Sequence, residues 1–176
     1  HVQGTRFETN PSIYVQNAGM VLAAPFLPRL FGMLGLLEEK RFKSRLTAER
    51  AVHLLEFMVN ERHAAPEFQL VLNKILCGLD GPVPIADGFD PTEQEIEAVH
   101  RMLEGMIGHW KIVGNTSVAG LRSSFLQRQG YLTFENDDWH LQVEGRSFDM
   151  LLDQLPWSIA VIKHSWMTRV LHVNWR

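Results

Sequence analysis

The sequence predicts an α+β fold, predominantly helical, in which about five or six helices precede a small β-containing C-terminal unit of a hairpin, a short helix and two terminal strands. Three observations carry this. Apolar residues recur at helical spacing along most of the chain before Gly130. After Gly130 the period falls to two. Residues 155–176 then hold three of the five tryptophans, Trp157, Trp166 and Trp175, which is more aromatic surface than a fraying terminus carries.

In chain order, Tyr14 to Ala24 reads as a short helix capped by Asn17, and Pro25 disfavours helix for the residue before it. Leu27, Leu30, Phe31 and Leu34 form a stripe on a helix that begins near Pro28 and ends at Gly35. The charged run Glu38 to Arg41 reads as a solvated connector. Thr47 caps a second helix with Ala51, Leu54, Leu55 and Met58 on one face, stopping near His63. A third opens at Pro66, lines Phe68, Val71, Leu72, Ile75 and Leu76 along one face, and closes at Gly78.

Leu79 to Phe89 has loop chemistry. Asp90-Pro91-Thr92-Glu93 then starts a helix that repeats Ile96, Val99, Leu103, Met106, Ile107 and Trp110 and runs to about Ile112. Gly114 to Ser117 separates it from a further helix with Val118, Leu121 and Phe125 on one face. Tyr131 to Glu135 and Trp139 to Glu144 alternate around Asn136-Asp137-Asp138, the pattern of a β-hairpin. A short helix bearing Phe148, Leu151, Leu152 and Leu155 ends at Pro156, and β-rich runs follow at Trp157 to Lys163 and Val170 to Trp175.

Composition narrows the function. Hydrophobic residues make up 45% and charged residues 21%, so the chain folds rather than staying disordered. The net charge of -3 gives no electrostatic footprint for nucleic acid, and no apolar run is long enough to span a membrane. The single cysteine, Cys77, forms no internal disulfide. A start at His1 and a polar, aperiodic opening make residues 1–12 a flexible segment of a longer chain. Residues 13–176 form one module with a helical part (13–129) and a β-containing part (130–176).

No catalytic residue, cofactor or metal site is expected. The eight histidines show no zinc-site spacing. His53, His100 and His109 read as structural or surface residues. His140, His164 and His172 meet only if the terminal strands pair with the hairpin. Glu93 with Glu97, and Asp137 with Asp138, sit at a helix start and a turn, where acids cap and turn the chain. Trp110 and Trp139 read as core. Trp157, Trp166 and Trp175 are harder to hide together, and at least one of them is the expected partner contact.

Several segments read together resemble a known family: Tyr14 to Gly19 leading into Pro25 to Phe31, Glu49 to Leu55, Leu72 to Leu79, Asn115 to Ser117, Leu121 to Arg128, and the terminal tryptophan segments. Over residues 13–175 the chain is similar to the tape-measure proteins of contractile injection systems. Ser165 stands before Trp166 where the family pattern leads one to expect a proline. The resemblance implies a structural protein of a phage-tail-like particle that sets inner-tube length. It implies inner-tube and spike/hub (baseplate) proteins as partners, multiple copies of the chain, cytoplasmic assembly, and residence inside the tube or baseplate. Length measurement needs an extended element, and a compact fold of this size is only ~40 Å across, so the segment is expected to be an anchor of a longer ruler. The alternatives are a cytosolic adaptor holding a partner helix in an apolar groove and a particle-borne cell-wall hydrolase.

Overall fold

A computed structural model describes residues 11–176; the opening segment expected to be flexible lies almost wholly outside the described residues. The fold is α+β, with helical elements followed by a C-terminal sheet. The first departure from expectation comes at once. Ile13–Val15 is a strand (β1) rather than helix, and it pairs antiparallel with Gly130–Glu135 (β4). The 3-10 segment Ala18–Phe26 follows, buried from Ala18 to Ala24. An element apolar on every side belongs in the middle of a core. At Gly19 a Cβ would sit 1.7 Å from the Phe125 carbonyl oxygen, so only glycine lets the two backbones meet.

Helix α1, Leu27–Met33, carries Pro28 in its first turn as expected. The charged connector is a tight hairpin of Leu37–Glu38 (β2) and Arg41–Phe42 (β3). Glu39 and Lys40 both take positive φ, 52° and 69°, the signature of a two-residue turn that follows strand twist. Helix α2, Arg45–Asn60, starts one turn before the expected cap: Ser44 is the N-cap and Thr47 completes a reciprocal capping box. At its other end the Met58 and Val59 carbonyls accept from the Arg122 guanidinium at 2.8 Å and the Gln127 amide at 3.0 Å. Helix ends leave such carbonyls without intrahelical partners.

The helix expected from Pro66 is broken. Glu67–Gln69 is a 3-10 turn, and α3 covers only Val71–Leu76. The break turns Phe68 outward, to 71% exposure, instead of placing it in the core. Helix α4, Glu93–His109, is capped by Thr92, whose hydroxyl accepts from the Glu95 N–H, rather than by Asp90. Glu95 also receives two hydrogen bonds from Arg50, tying α4 to α2. Burial works to raise the Glu95 carboxyl, but Arg50 and the Thr92 N–H outweigh it and hold it below the usual carboxylate range. Helix α5, Val118–Leu121, passes into a π-helical turn, Arg122–Leu126.

The hairpin forms as expected, β4 with Asp138–Val143 (β5), around Asn136 and Asp137 at φ 53° and 67°. The short helix expected next is a 3-10 segment, Asp149–Gln154. The terminal strands are shorter than their sequence pattern, Val161–Ile162 (β6) and Leu171–Asn174 (β7). The sheet order is β1-β4-β5-β7-β6, with β5 and β7 parallel and the other neighbours antiparallel. Leu132, Leu141 and Leu171 are buried on the sheet's inner face. On the other face Tyr131 and Tyr14 lean together at 5.6 Å and the His140 and His172 rings stack at 4.7 Å. One continuous apolar core runs through helical and β-containing residues alike, from Val15 to Trp175.

A polar cluster is built into that core. Asn17 holds the N-cap position of the 3-10 segment but makes no side-chain capping bond; its amide donates instead to Glu56 at 3.0 Å and to Asn73 at 2.9 Å, and Asn73 donates to the Val52 carbonyl at 3.1 Å. Arg62 and Asn60 cover the other Glu56 oxygen. The network ties the strand-to-helix entry to α2 and α3, although the Asn17 Oδ1 is buried without a hydrogen-bond partner.

Candidate docking surface

The three C-terminal tryptophans are pegs before they are surface. Each indole N–H donates to an acceptor inside the chain. Trp166 donates to the Leu76 carbonyl at 2.8 Å, satisfying an oxygen at the end of α3. Its ring packs on Phe42 at 5.1 Å and on Phe31 at 5.7 Å, with the His164 imidazole stacked 4.6 Å away. Burial pushes that imidazole down to about 4, against a weaker opposing hydrogen bond at Ala24. Gly78, at φ +74°, lets the Trp166 backbone approach: a Cβ there would lie 2.3 Å from the Trp166 carbonyl oxygen. Ser165, where a proline was expected, uses its hydroxyl to donate to the Lys40 carbonyl at the β2–β3 turn.

Trp175 caps a buried ion pair. The Arg128 guanidinium is fully buried and donates to both oxygens of Asp149, at 2.7 and 3.0 Å. It also donates to the Ser124 and Glu144 carbonyls and lies 5.1–5.6 Å from the Trp175, Phe148 and Phe125 ring centres. The Trp175 indole N–H and the Arg146 backbone N–H complete the shell around Asp149 at 3.2 and 2.9 Å. Burial tends to raise the Asp149 carboxyl, yet these donors together hold it below its ordinary range.

Trp157 differs. Its N–H donates to the Leu22 carbonyl at 2.9 Å. In a 3-10 turn that oxygen would accept from the N–H three residues on, but residue 25 is proline and has none. The indole repairs that gap, with Phe26 edge-on at 4.8 Å and Trp110 at 6.4 Å. Trp166 and Trp175 are buried at 7% and 8% exposure, while Trp157 stays half-buried. With Leu152, Leu155, Ile159 and Val173 it lines a shallow groove of about 250 Å³, bordered by the exposed Arg176–Asp153 ion pair at 2.9 Å.

The remaining candidates resolve as follows. Trp110 is buried and donates to the Leu151 carbonyl at 3.0 Å, whereas Trp139 is only half-buried and donates to Asp80 at 2.8 Å. Of the three C-terminal histidines, His140 and His172 come together as register partners, and His164 is drawn away to Trp166. His172 bonds Asp138 at 3.1 Å, and that bond above all holds the Asp138 carboxyl low. Among the described residues no three His, Cys, Asp or Glu side chains gather as metal ligands. Glu97 pairs with Arg101 at 2.9 Å on the surface of α4. Cys77 is buried, and burial pushes its thiol far up.

A family model for the contractile injection system tape measure protein matches residues 3–175, nearly the whole chain. The chain belongs to that family. Comparisons with curated proteins and with solved structures return no match. For a tape measure protein the arrangement is informative, since its terminal aromatic residues are mostly consumed in closing the fold. No helix among the described residues is long and apolar enough to cross a membrane. The Arg128–Asp149 pair and the Asn17–Glu56–Asn73 cluster were not anticipated. Their only signal in the sequence is an arginine, an aspartate, a glutamate and two asparagines lying beside buried apolar positions.

Proposed function

We propose that this chain is a folded anchoring module of a tape measure protein, a single unit over residues 13–176 that engages the tube or the spike hub at the baseplate. The part-exposed face of Trp157 carries this reading: interface anchors are enriched in tryptophan, and this one keeps an open face beside a groove of mixed polar and apolar lining. Trp175 lines the same groove and is held there by Asp149, whereas Trp166 is packed away from it on Phe31 and Phe42. Length supports the anchor over the ruler. The longest helix, α4, has 17 residues and so spans about 25 Å, with every other element shorter. The measuring element therefore lies elsewhere in the protein, and this module fixes one end of it.

In this reading the role is structural rather than catalytic. The module is assembled in the cytoplasm in several copies and lodges inside the tube or baseplate of the particle. A hydrolase would need two carboxyls facing one cleft, whereas Glu97 is engaged by Arg101 and Asp138 by His172.

The test is assembly of particles carrying Trp157→Ala, or Ser158→Arg at an exposed groove position. Ser158→Arg, at an exposed position, should fold as the parent does, whereas Trp157→Ala also removes the partner of the Leu22 carbonyl; both should lower the tape measure protein retained per purified particle by about tenfold. Normal retention of both would overturn the docking role. Removal of the segment that shortened tubes in proportion to the residues lost, with baseplate attachment intact, would overturn the anchor.

A further inference from the structure

A second groove lies away from the tryptophan face, between α1 and α4, with a volume of about 410 Å³. Phe26, Leu30, Ala98, Met102 and Gly105 line it, and Met33 stands at its edge, 57% exposed. Three features specify an occupant. First, both long walls are helices whose backbone groups are already bonded within the helix, so the groove offers no free strand edge. A helix, which satisfies its own N–H and C=O groups, is the segment that such walls best receive. The walls accommodate one: from Ala98 to His109 the groove follows α4 for about 16 Å, some three helical turns.

Second, Gly105 sits inside α4, where glycine is the poorest helix former after proline. Nothing within the fold requires it, because a Cβ added there meets no atom within 4 Å. Its absence leaves the α4 backbone open to close approach by a second helix, on the same stripe as Ala98 one heptad earlier. Third, the charged lining is of one sign. Arg29 and Arg101 border the groove and no carboxylate does. Arg101 is engaged by Glu97, but Arg29 makes no ion pair among the described residues.

We propose that this groove receives an amphipathic helix from another protein chain, with its apolar face on Leu30, Met102 and Gly105 and its acidic flank toward Arg29. The proposal stands independently of the docking role given to Trp157.

The test uses the intact chain and a fluorescein-labelled synthetic peptide of about four turns, with Leu at i, i+3, i+4 and i+7 and Glu on both flanks. A Lys-flanked version and a scrambled version serve as comparisons. The Glu-flanked peptide should bind saturably by fluorescence anisotropy, gain helicity by circular dichroism, and bind at least about tenfold tighter than either comparison. Arg29→Glu should reverse the preference between Glu and Lys flanks. Gly105→Leu, which fills the groove, should weaken the Glu-flanked peptide by at least about tenfold with an unfolding midpoint no lower than that of the parent. Equal binding of all three peptides, absence of saturable binding, or indifference to both substitutions would overturn the proposal.

Discussion

Replacing Asp149 with alanine isolates the most consequential polar contact in the fold. The substitution removes both carboxylate partners of Arg128, along with the acceptor for the Trp175 indole and the Arg146 N–H. The guanidinium keeps only the Ser124 and Glu144 carbonyls and remains fully buried among three aromatic rings. Breaking a buried pair from one side costs about 3–5 kcal/mol. With an unfolding entropy of about 2.1 cal/mol/K per residue, 176 residues give about 0.37 kcal/mol/K, so the midpoint should fall by about 8–14 °C. The same carboxyl is held low in the folded state, so its contribution is complete above the ordinary carboxylate range and is lost as pH falls below that range through the lowered folded value. Thermal unfolding followed by circular dichroism at neutral pH measures the loss. The double variant Arg128→Met with Asp149→Leu should recover most of it, because the uncompensated charge is gone. A midpoint change below about 2 °C for Asp149→Ala, or a double variant no more stable than the single, would refute the assignment of the pair as a closing element.

Gly78→Ala places a Cβ against the Trp166 carbonyl and forces alanine into the left-handed region, so urea unfolding should show a loss of about 2–4 kcal/mol; a neutral result would mean that the approach of Trp166 is not tight. His164 predicts a pH window. Its imidazole drops from the ordinary 6.5 to about 4 by burial, so the unfolded chain binds a proton that the folded chain refuses. The stability it contributes is whole above pH 6.5 and is lost as pH falls toward 4, by about 1–2 kcal/mol after allowing for its partial exposure. His53, also lowered mainly by burial, adds to the same slope. The measurement is therefore the difference between the chain and His164→Gln, and identical slopes over that window would reject the reasoning.

What the sequence disclosed, and what it hid, follows one division. Helices with a single apolar stripe and a local start signal were legible: α2 and α4 lie where their periodicity puts them, with caps displaced by three and two positions, from Thr47 to Ser44 and from Asp90 to Thr92. The hairpin was legible because alternation and Asn-Asp turn chemistry agree. Elements whose form depends on distant partners were not. Ala18 to Ala24 has no polar residue to mark a face, so periodicity could not distinguish a strand followed by a buried 3-10 segment from a helix. The partner that makes Ile13–Val15 a strand is β4, more than a hundred residues away. Phe68 fits a helical face only if the helix is unbroken at Leu70, and it is broken there. At the candidate site, the sequence marked three tryptophans by their number and left open which was exposed. That depended on Pro25 leaving a carbonyl for Trp157, and on Leu76 and Asp149 drawing the other two inward.

The sheet order has a mechanical consequence. Because β1 is antiparallel to β4, β4 is antiparallel to β5, and β5 is parallel to β7, strands β1 and β7 point the same way from opposite sides of the hairpin. The chain therefore enters β1 at one end of the sheet and leaves β7 at the other. Tension applied through both ends loads the ladders in shear, along the strands, so the hydrogen bonds of each ladder must yield together rather than peel one at a time. Arg128 and Asp149 clasp the tryptophan that follows β7, adding a bolt at the exit. A module held this way would resist a pull along the chain axis far better than a pull that peels β1 sideways from the sheet edge.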